Sequence, residues 1–269
     1  MALASKKFIK NTLRKFGIRV MSEDQAQRII EDSKVGRNLA LLMQLPIRHR
    51  AQLLDICRAS DSQFGQDLFV LSELDFKRAG YFVEFGAADG LTLSNTRLLE
   101  AKFGWTGILA EPARCWHGEL KRNRRSHIET SCVWRESGST VTFNQTRSPD
   151  LSTIDSYSNA DFHSGLRTKG RKYEVKTISL MDLLAKYNAP KVIDYLSIDT
   201  EGSEFEILNS FDFGKYQIRI ITCEHNGAQQ REGIRLLLEK NGYTRRYENL
   251  SAADDWYAQA SLVNAWAEV

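Results

Sequence analysis

Residues 81–90 read YFVEFGAADG, and the fold follows from how this stretch begins and ends. Tyr81–Phe85 is a short apolar run broken only by Glu84, and it stops at a turn bounded by Gly86 and Gly90. Such a run, closed by turn residues, predicts a buried strand. Downstream, Asn95–Phe103 reads as a helix closed by Gly104, and Thr106–Ala110 as a strand ended by Glu111-Pro112. Trp116–Asn123 is the next helix and Ile128–Trp134 a third strand. This βαβαβ order, with crossovers far longer than a hairpin turn, predicts parallel pairing and a doubly wound α/β fold.

The rest of the chain extends the pattern. Thr140–Phe143 and Tyr173–Ile178 are strands suited to pair, separated by the polar, irregular stretch Asn144–Arg171. A loop of that length in a compact domain points to function or mobility. Leu180–Tyr187 is a short helix, and Ile193–Ile198, the clearest buried strand, runs directly into Asp199-Thr200-Glu201-Gly202. Glu204–Asn209 is helical, Gln217–Cys223 is a strand ending in Glu224-His225-Asn226, and Gln230–Asn241 is an amphipathic helix closed by Gly242. Strands at Tyr243–Tyr247 and Trp256–Ser261 bring the sheet to seven.

Upstream the rhythm is helical. Ser22 with Gln25 predicts a capped helix ending before Gly36, followed by a helix over Arg37–Leu45 and another opened by Pro46. Ser62–Leu74 continues at helical period. The chain divides into an N-terminal helical extension, 1–60, and one α/β domain, 61–269. The first twenty residues carry Lys6, Lys7, Lys10, Arg14, Lys15 and Arg19 and no acid, with Phe8, Ile9, Leu13 and Phe16 between them. They suit a solvated helix docked on the protein body, or peripheral contact with an anionic inner membrane face. No apolar run spans a bilayer, and the start lacks a signal-peptide core. Cys57, Cys115, Cys132 and Cys223 form no CxxC pair and read as free thiols of a reducing, cytoplasmic compartment. A net charge of +3 gives no case for a nucleic-acid partner.

Ligands of open α/β sheets bind beyond the carboxyl ends of the strands. Four such ends are polar here: Glu84/Gly86/Asp89/Gly90, Glu111, Asp199/Glu201/Glu204 and Glu224/His225/Asn226. The first is not the GxGxxG of a dinucleotide site, and its carboxylates would repel a pyrophosphate while attracting a sulfonium or ammonium. Glu111, at the second strand end, is placed to take two ribose hydroxyls. Together they point to S-adenosylmethionine more than to NAD.

Four segments carry a resemblance: YFVEFGAADG (81–90), GWTGILAEP (104–112), ISLMDLL (178–184) and above all IDYLSIDTEGSEFEIL (193–208). Over roughly Gln63–Tyr247 the chain resembles the FkbM family of class I S-adenosylmethionine-dependent methyltransferases. The resemblance implies a seven-stranded Rossmann-like methyltransferase sheet and O-methylation of a hydroxyl on a sugar, glycan or natural product. The implied acceptor is a small molecule, nucleotide-sugar or glycan. The cofactor set it implies is Glu84, Gly86, Ala87, Asp89, Gly90, Asn95, Glu111, Cys132, Val133 and Asp199. Glu84, Gly86 and Asp89 would lie at the methionine end, Glu111 at the ribose, and Cys132–Trp134 near the adenine. The usual DVGAN is here EFGAA, with Ala88 in place of Asn. LSTID, residues 151–155, also recurs in relatives and is expected to touch cofactor or acceptor.

An alcohol needs a base as it attacks a methyl group. His225 is the first candidate, because imidazole titrates near neutrality. Asp199 and Glu201 are alternatives, Glu224 is placed to orient His225, and His163 in the long loop is a weaker choice. Asp199, Glu201, Glu224 and His225 also make a candidate oxygen-rich divalent metal site. Arg147, Arg167, Lys169, Arg171 and Lys172 give the long loop a basic face, either solvated or turned to an anionic acceptor. A catalytically inactive S-adenosylmethionine-binding scaffold is the rival of another class.

Overall fold

The computed structural model describes residues 21–159, 164–225 and 230–264. The expected basic helix of residues 1–20 therefore lies outside the described residues, as do His163 and Asn226. The main sheet has seven strands: β1 Tyr81–Phe85, β2 Thr106–Ala110, β3 His127–Glu129, β8 Val192–Ile198, β9 Gln217–Glu224, β10 Tyr243–Arg246 and β11 Asp254–Gln259. Their order is β10-β11-β9-β8-β1-β2-β3. β9, β8, β1, β2 and β3 pair in parallel, while β11 runs antiparallel to both of its neighbours. The winding reverses between β1 and β8, so both carboxyl ends open on one crevice. The expected doubly wound α/β sheet is present.

Residue alternation along the strands explains its two covers. Val83 and Phe85 face one core with Ile108, Leu196, Ile198 and Ile221. That side is closed by α7 Leu180–Lys186, α8 Glu204–Asn209 and α9 Gln230–Lys240. Phe82 faces the other core with Leu109, Tyr195, Ile220 and Trp256. Its cover comes from α1 Glu23–Gln44, α2 Ile47–Ile56, α3 Gln66–Glu73 and α4 Arg97–Phe103. Two further helices are α5 His117–Asn123 and α6 Ser164–Arg167, and α10 Ala260–Asn264 follows β11.

The structure corrects three expectations. The run read as one strand over Ile128–Trp134 is two. Glu129 turns its carboxylate onto the backbone N–H groups of Thr130 and Ser131, which ends β3. β4 Cys132–Trp134 then leaves for a second sheet, with β5 Thr140–Gln145, β6 Thr153–Ile154 and β7 Arg171–Ser179, in the order β4-β7-β5-β6. Second, α1 passes straight through Gly36, which meets nothing within 4 Å of a built Cβ. Glycine costs a helix only about 1 kcal/mol, and burial of Leu41, Leu42 and Leu45 holds the continuous rod. Ser22 caps it, accepting from Gln25 N at 3.2 Å while Gln25 returns the bond to Ser22 N. Third, the helix expected from Ser62 begins only at Gln66, because Ser60 and Ser62 instead donate to Asp67 at 2.7 Å.

No helix among the described residues is long and apolar enough to cross a membrane. All four cysteines are free, and Cys132 and Cys223 are buried.

Leu53 on α2 is wholly buried in the same core as Phe82 and Trp256. Leu53→Ala is expected to lower the unfolding free energy by about 2–4 kcal/mol. Urea denaturation should show one transition shifted as a whole, not a separate early loss of the N-terminal helices.

Candidate active site

The crevice at the switch point is a cavity of roughly 250 Å³. Its first wall is the turn after β1. Gly86 sits at φ +72°, and a Cβ there would stand 2.1 Å from the carbonyl oxygen of Asp199. The turn therefore lies directly against the end of β8, a contact that glycine alone permits. Gly90, at φ +79°, is crowded by Arg124 and Leu120 in the same way. Ala88 adopts φ +45°. Asn is tolerated there better than Ala, which gives a physical reason for the Asn of the usual motif.

That unusual backbone aims the Ala88 N–H at Glu111 Oε2, 2.8 Å away, while Ala113 N donates to Oε1 at 2.7 Å. Glu111 thus clamps the turns after β1 and β2. Burial lifts its pKa to about 7 despite the two amide donors.

Glu84 is less available than its position suggests. Its carboxylate accepts from Ser94 Oγ, Asn95 N at 2.7 Å and Thr96 Oγ1, with Arg124 Nη1 3.6 Å away. Arg124 is itself buried and pairs with Glu100 at 2.6 Å. Glu84 reaches the cavity wall, but its carboxylate is engaged in building the turn. Asn95 is better poised toward a ligand. It lines the cavity, its Nδ2 donates to Ser197 Oγ at 2.9 Å, and its Oδ1 has no partner among the described residues. Trp116 also lines the cavity with an unpartnered Nε1.

Of the remaining sequence candidates, Gly86, Glu111, Cys132, Val133, Asp199 and Glu201 line the cavity, and Ala87, Asp89, Gly90, Glu224 and His225 do not. Asp89 is turned back on its own loop, accepting from Leu91 N, Thr92 N and Thr92 Oγ1. His225 faces Asp255, with Nε2 3.9 Å from its Oδ1, and burial lowers its pKa. The imidazole is not brought to the cavity, so it is not placed to take an acceptor's proton there.

The other acids are brought together. Oxygen atoms of Asp199, Glu201 and Glu224 lie within 4.8 Å of one another. Burial pushes the pKa of Asp199 up to about 6, eased by a hydrogen bond from Glu224. Glu224 is pushed well above the ordinary range by burial and by the Asp199 charge. Both carboxyls of this coupled pair are thus pushed upward, Glu224 further than Asp199, because two adjacent acids disfavour each other's ionised form. Glu201, at φ +60°, instead pairs with the buried Arg167 Nη2 at 2.6 Å. The guanidinium offsets one charge of the trio.

Arg167 belongs to the long loop, and it also donates through Nε to Leu151 O at 2.9 Å. Thr153 Oγ1 donates to Glu201 O at 2.8 Å. These bonds pin the loop on the β8 end and place Pro149, Asp150, Ser152 and Ile154 on the cavity wall. The LSTID segment is thus at the site. Of the loop's cations, Arg167 is spent inside and Lys172 pairs with Asp155 at 2.8 Å, so neither meets a ligand in the cavity. Sequence reasoning missed Gln63, Gln66, Thr92, Leu93 and Phe143 as lining residues; they stand on segments that only the tertiary fold brings here.

A family model described as the methyltransferase FkbM domain matches residues 84–245. No curated protein matches the sequence significantly. Among solved structures, a precorrin-6y C5,15-methyltransferase from Geobacter metallireducens is similar at 10% identity. It covers 71% of this chain and 84% of its own, with a TM-score of 0.37. A human methyltransferase 10 domain containing protein is similar at 14% identity, covering 72% of this chain and 80% of its own, with a TM-score of 0.38.

A hydroxyl pair donating to Glu111 favours its carboxylate, so ligand binding should expel the proton that burial retains. The affinity for S-adenosylhomocysteine is expected to rise several-fold as pH increases from 6 to 8 through the Glu111 pKa of about 7. Calorimetry in buffers of different ionisation enthalpy should record proton release near pH 7, and Glu111→Gln should abolish both effects.

Proposed function

The chain belongs to the FkbM methyltransferase family, and from that premise we propose that it methylates a hydroxyl of a sugar, glycan or related natural product. The observation that carries this reading is Asp199: a half-buried carboxylate on the cavity wall, beside the glycine turn, hydrogen-bonded to Glu224. S-adenosylmethionine, when bound, supplies an electrophilic methyl group. The chain supplies the rest. Gly86, Asn95 and Glu111, with Cys132 and Val133, are the residues that would hold the cofactor. The unpartnered Asn95 Oδ1 suits an ammonium donor, and the Glu111 carboxylate suits two hydroxyl donors. Asp199 takes the acceptor's hydroxyl proton as the oxygen attacks. A carboxylate of pKa about 6 is ionised at neutral pH yet basic enough for that task.

Cavity charge narrows the acceptor. Every charged residue lining the cavity among the described residues is an acid: Glu84, Glu111, Asp150, Asp199 and Glu201. A phosphate or carboxylate beside the reacting hydroxyl would be repelled. Gln63, Gln66, Thr200 and Ser203, which also line it, are suited to a neutral polyol. An unphosphorylated glycosyl group at the reacting end fits this lining better than the diphosphate of a nucleotide-sugar. Arg167 already neutralises Glu201 within the trio, which favours proton transfer over metal activation.

Methyl transfer from labelled cofactor to a panel of neutral glycosides should place the label on oxygen and should persist in excess chelator. Label found solely on nitrogen or carbon would defeat the hydroxyl reading. Asp199→Asn should lower kcat by about 10²–10³ while S-adenosylhomocysteine still binds within a few-fold. In the native protein, kcat should climb as pH rises through about 6, where Asp199 loses its proton, and Asp199→Asn should remove that limb.

A further inference from the structure

Eight large apolar side chains are exposed among the described residues, and five of them fall within twenty consecutive positions. They are Val35, Leu39 and Met43 on α1 and Ile47 and Leu54 on α2, with exposures from 52% to 79%. Spacing of four places Val35, Leu39 and Met43 on one side of α1, and spacing of seven does the same for Ile47 and Leu54 on α2. The opposite sides are already satisfied. Leu41, Leu42 and Leu45 of α1 and Leu53 of α2 are buried in the core beneath the sheet. The outer side chains are therefore a second apolar surface, not a margin of the first.

The charge along it is mostly positive. From Ser33 to Ser60 the chain carries Lys34, Arg37, Arg48, Arg50 and Arg58 against Asp55 alone. Arg37, Arg48 and Arg58 are exposed. The first sixty residues hold twelve bases and five acids, although the whole chain is only +3, so positive charge is concentrated at this end. Two copies joined through this face would bring like charges together. An anionic, apolar-backed surface would satisfy both features at once.

We propose that the outer face of α1 and α2 docks on an anionic membrane surface. Val35, Leu39, Met43, Ile47 and Leu54 enter the headgroup–acyl boundary, and the arginines beside them meet lipid phosphates. This inference rests on surface chemistry and does not depend on the methyl acceptor.

The full chain should float with vesicles of phosphatidylcholine mixed with phosphatidylglycerol and stay behind with phosphatidylcholine alone. The triple substitution Leu39→Glu, Met43→Glu, Ile47→Glu leaves residues 1–20 intact and changes only exposed positions. It should weaken vesicle affinity by about tenfold or more while S-adenosylhomocysteine binding, which reports the fold, is kept. Arg37→Glu with Arg58→Glu should weaken it too, and added salt should do the same. The proposal is overturned if the native chain ignores anionic vesicles, or if the triple variant binds them as tightly as the native chain. It is equally overturned if light scattering finds a native dimer that the triple variant dissolves, which would make this face an interface between copies.

Discussion

The contact between Gly86 and the carbonyl oxygen of Asp199 sets the geometry of everything at the crevice. It lies where the parallel sheet reverses its winding, between β1 and β8. With no side chain at Gly86, the turn after β1 sits against the strand tip that carries Asp199, the proposed proton acceptor. Any larger residue would part them by pushing the turn into the cavity. Proximity of the two reacting groups is thus built into backbone packing and does not depend on a flexible side chain.

A second constraint is the disposal of buried negative charge. The described residues around this crevice bury Glu84, Glu111, Glu201 and Glu204 almost completely. Each is offset differently. Glu84 lies near Arg124, Glu201 pairs with Arg167, Glu204 accepts from the backbone of Thr200 and Gly202, and Glu111 bridges two amides. A buried carboxylate left without such partners would cost several kcal/mol. Asp199 and Glu224 meet it through the hydrogen bond between them, with both carboxyls pushed upward.

Much of this was legible in the sequence because it depends on local pattern. The boundaries of β1 and β2 follow directly from apolar runs stopped by Gly86 and by Glu111-Pro112, and the strand-end acids Glu111 and Asp199 stand where the doubly wound topology puts ligands. What escaped depends on distant partners. Nothing near His225 in the chain says that Asp255, on a strand thirty residues later, turns its ring from the cavity. Asp89 looked like a ligand group because its own turn, which consumes both oxygens, is invisible without φ angles. The break between β3 and β4 is set by the side chain of Glu129 acting on its own backbone, and hydrophobic periodicity does not register that. Arg167 carried no signal at all: an arginine in a polar loop reads as solvated, yet it is wholly buried.

The anchoring of the long loop has an implication for diversification. Arg167, Thr153 and Asn144 fasten it at points on either side of the segment that forms the cavity wall. The side chains of Arg147, Ser148 and Asp150 can change without disturbing those fastenings or the turn beneath. The chemistry of this cavity wall and the integrity of the fold are therefore separable traits, so a few grafted side chains would alter what the crevice presents while the scaffold stays intact.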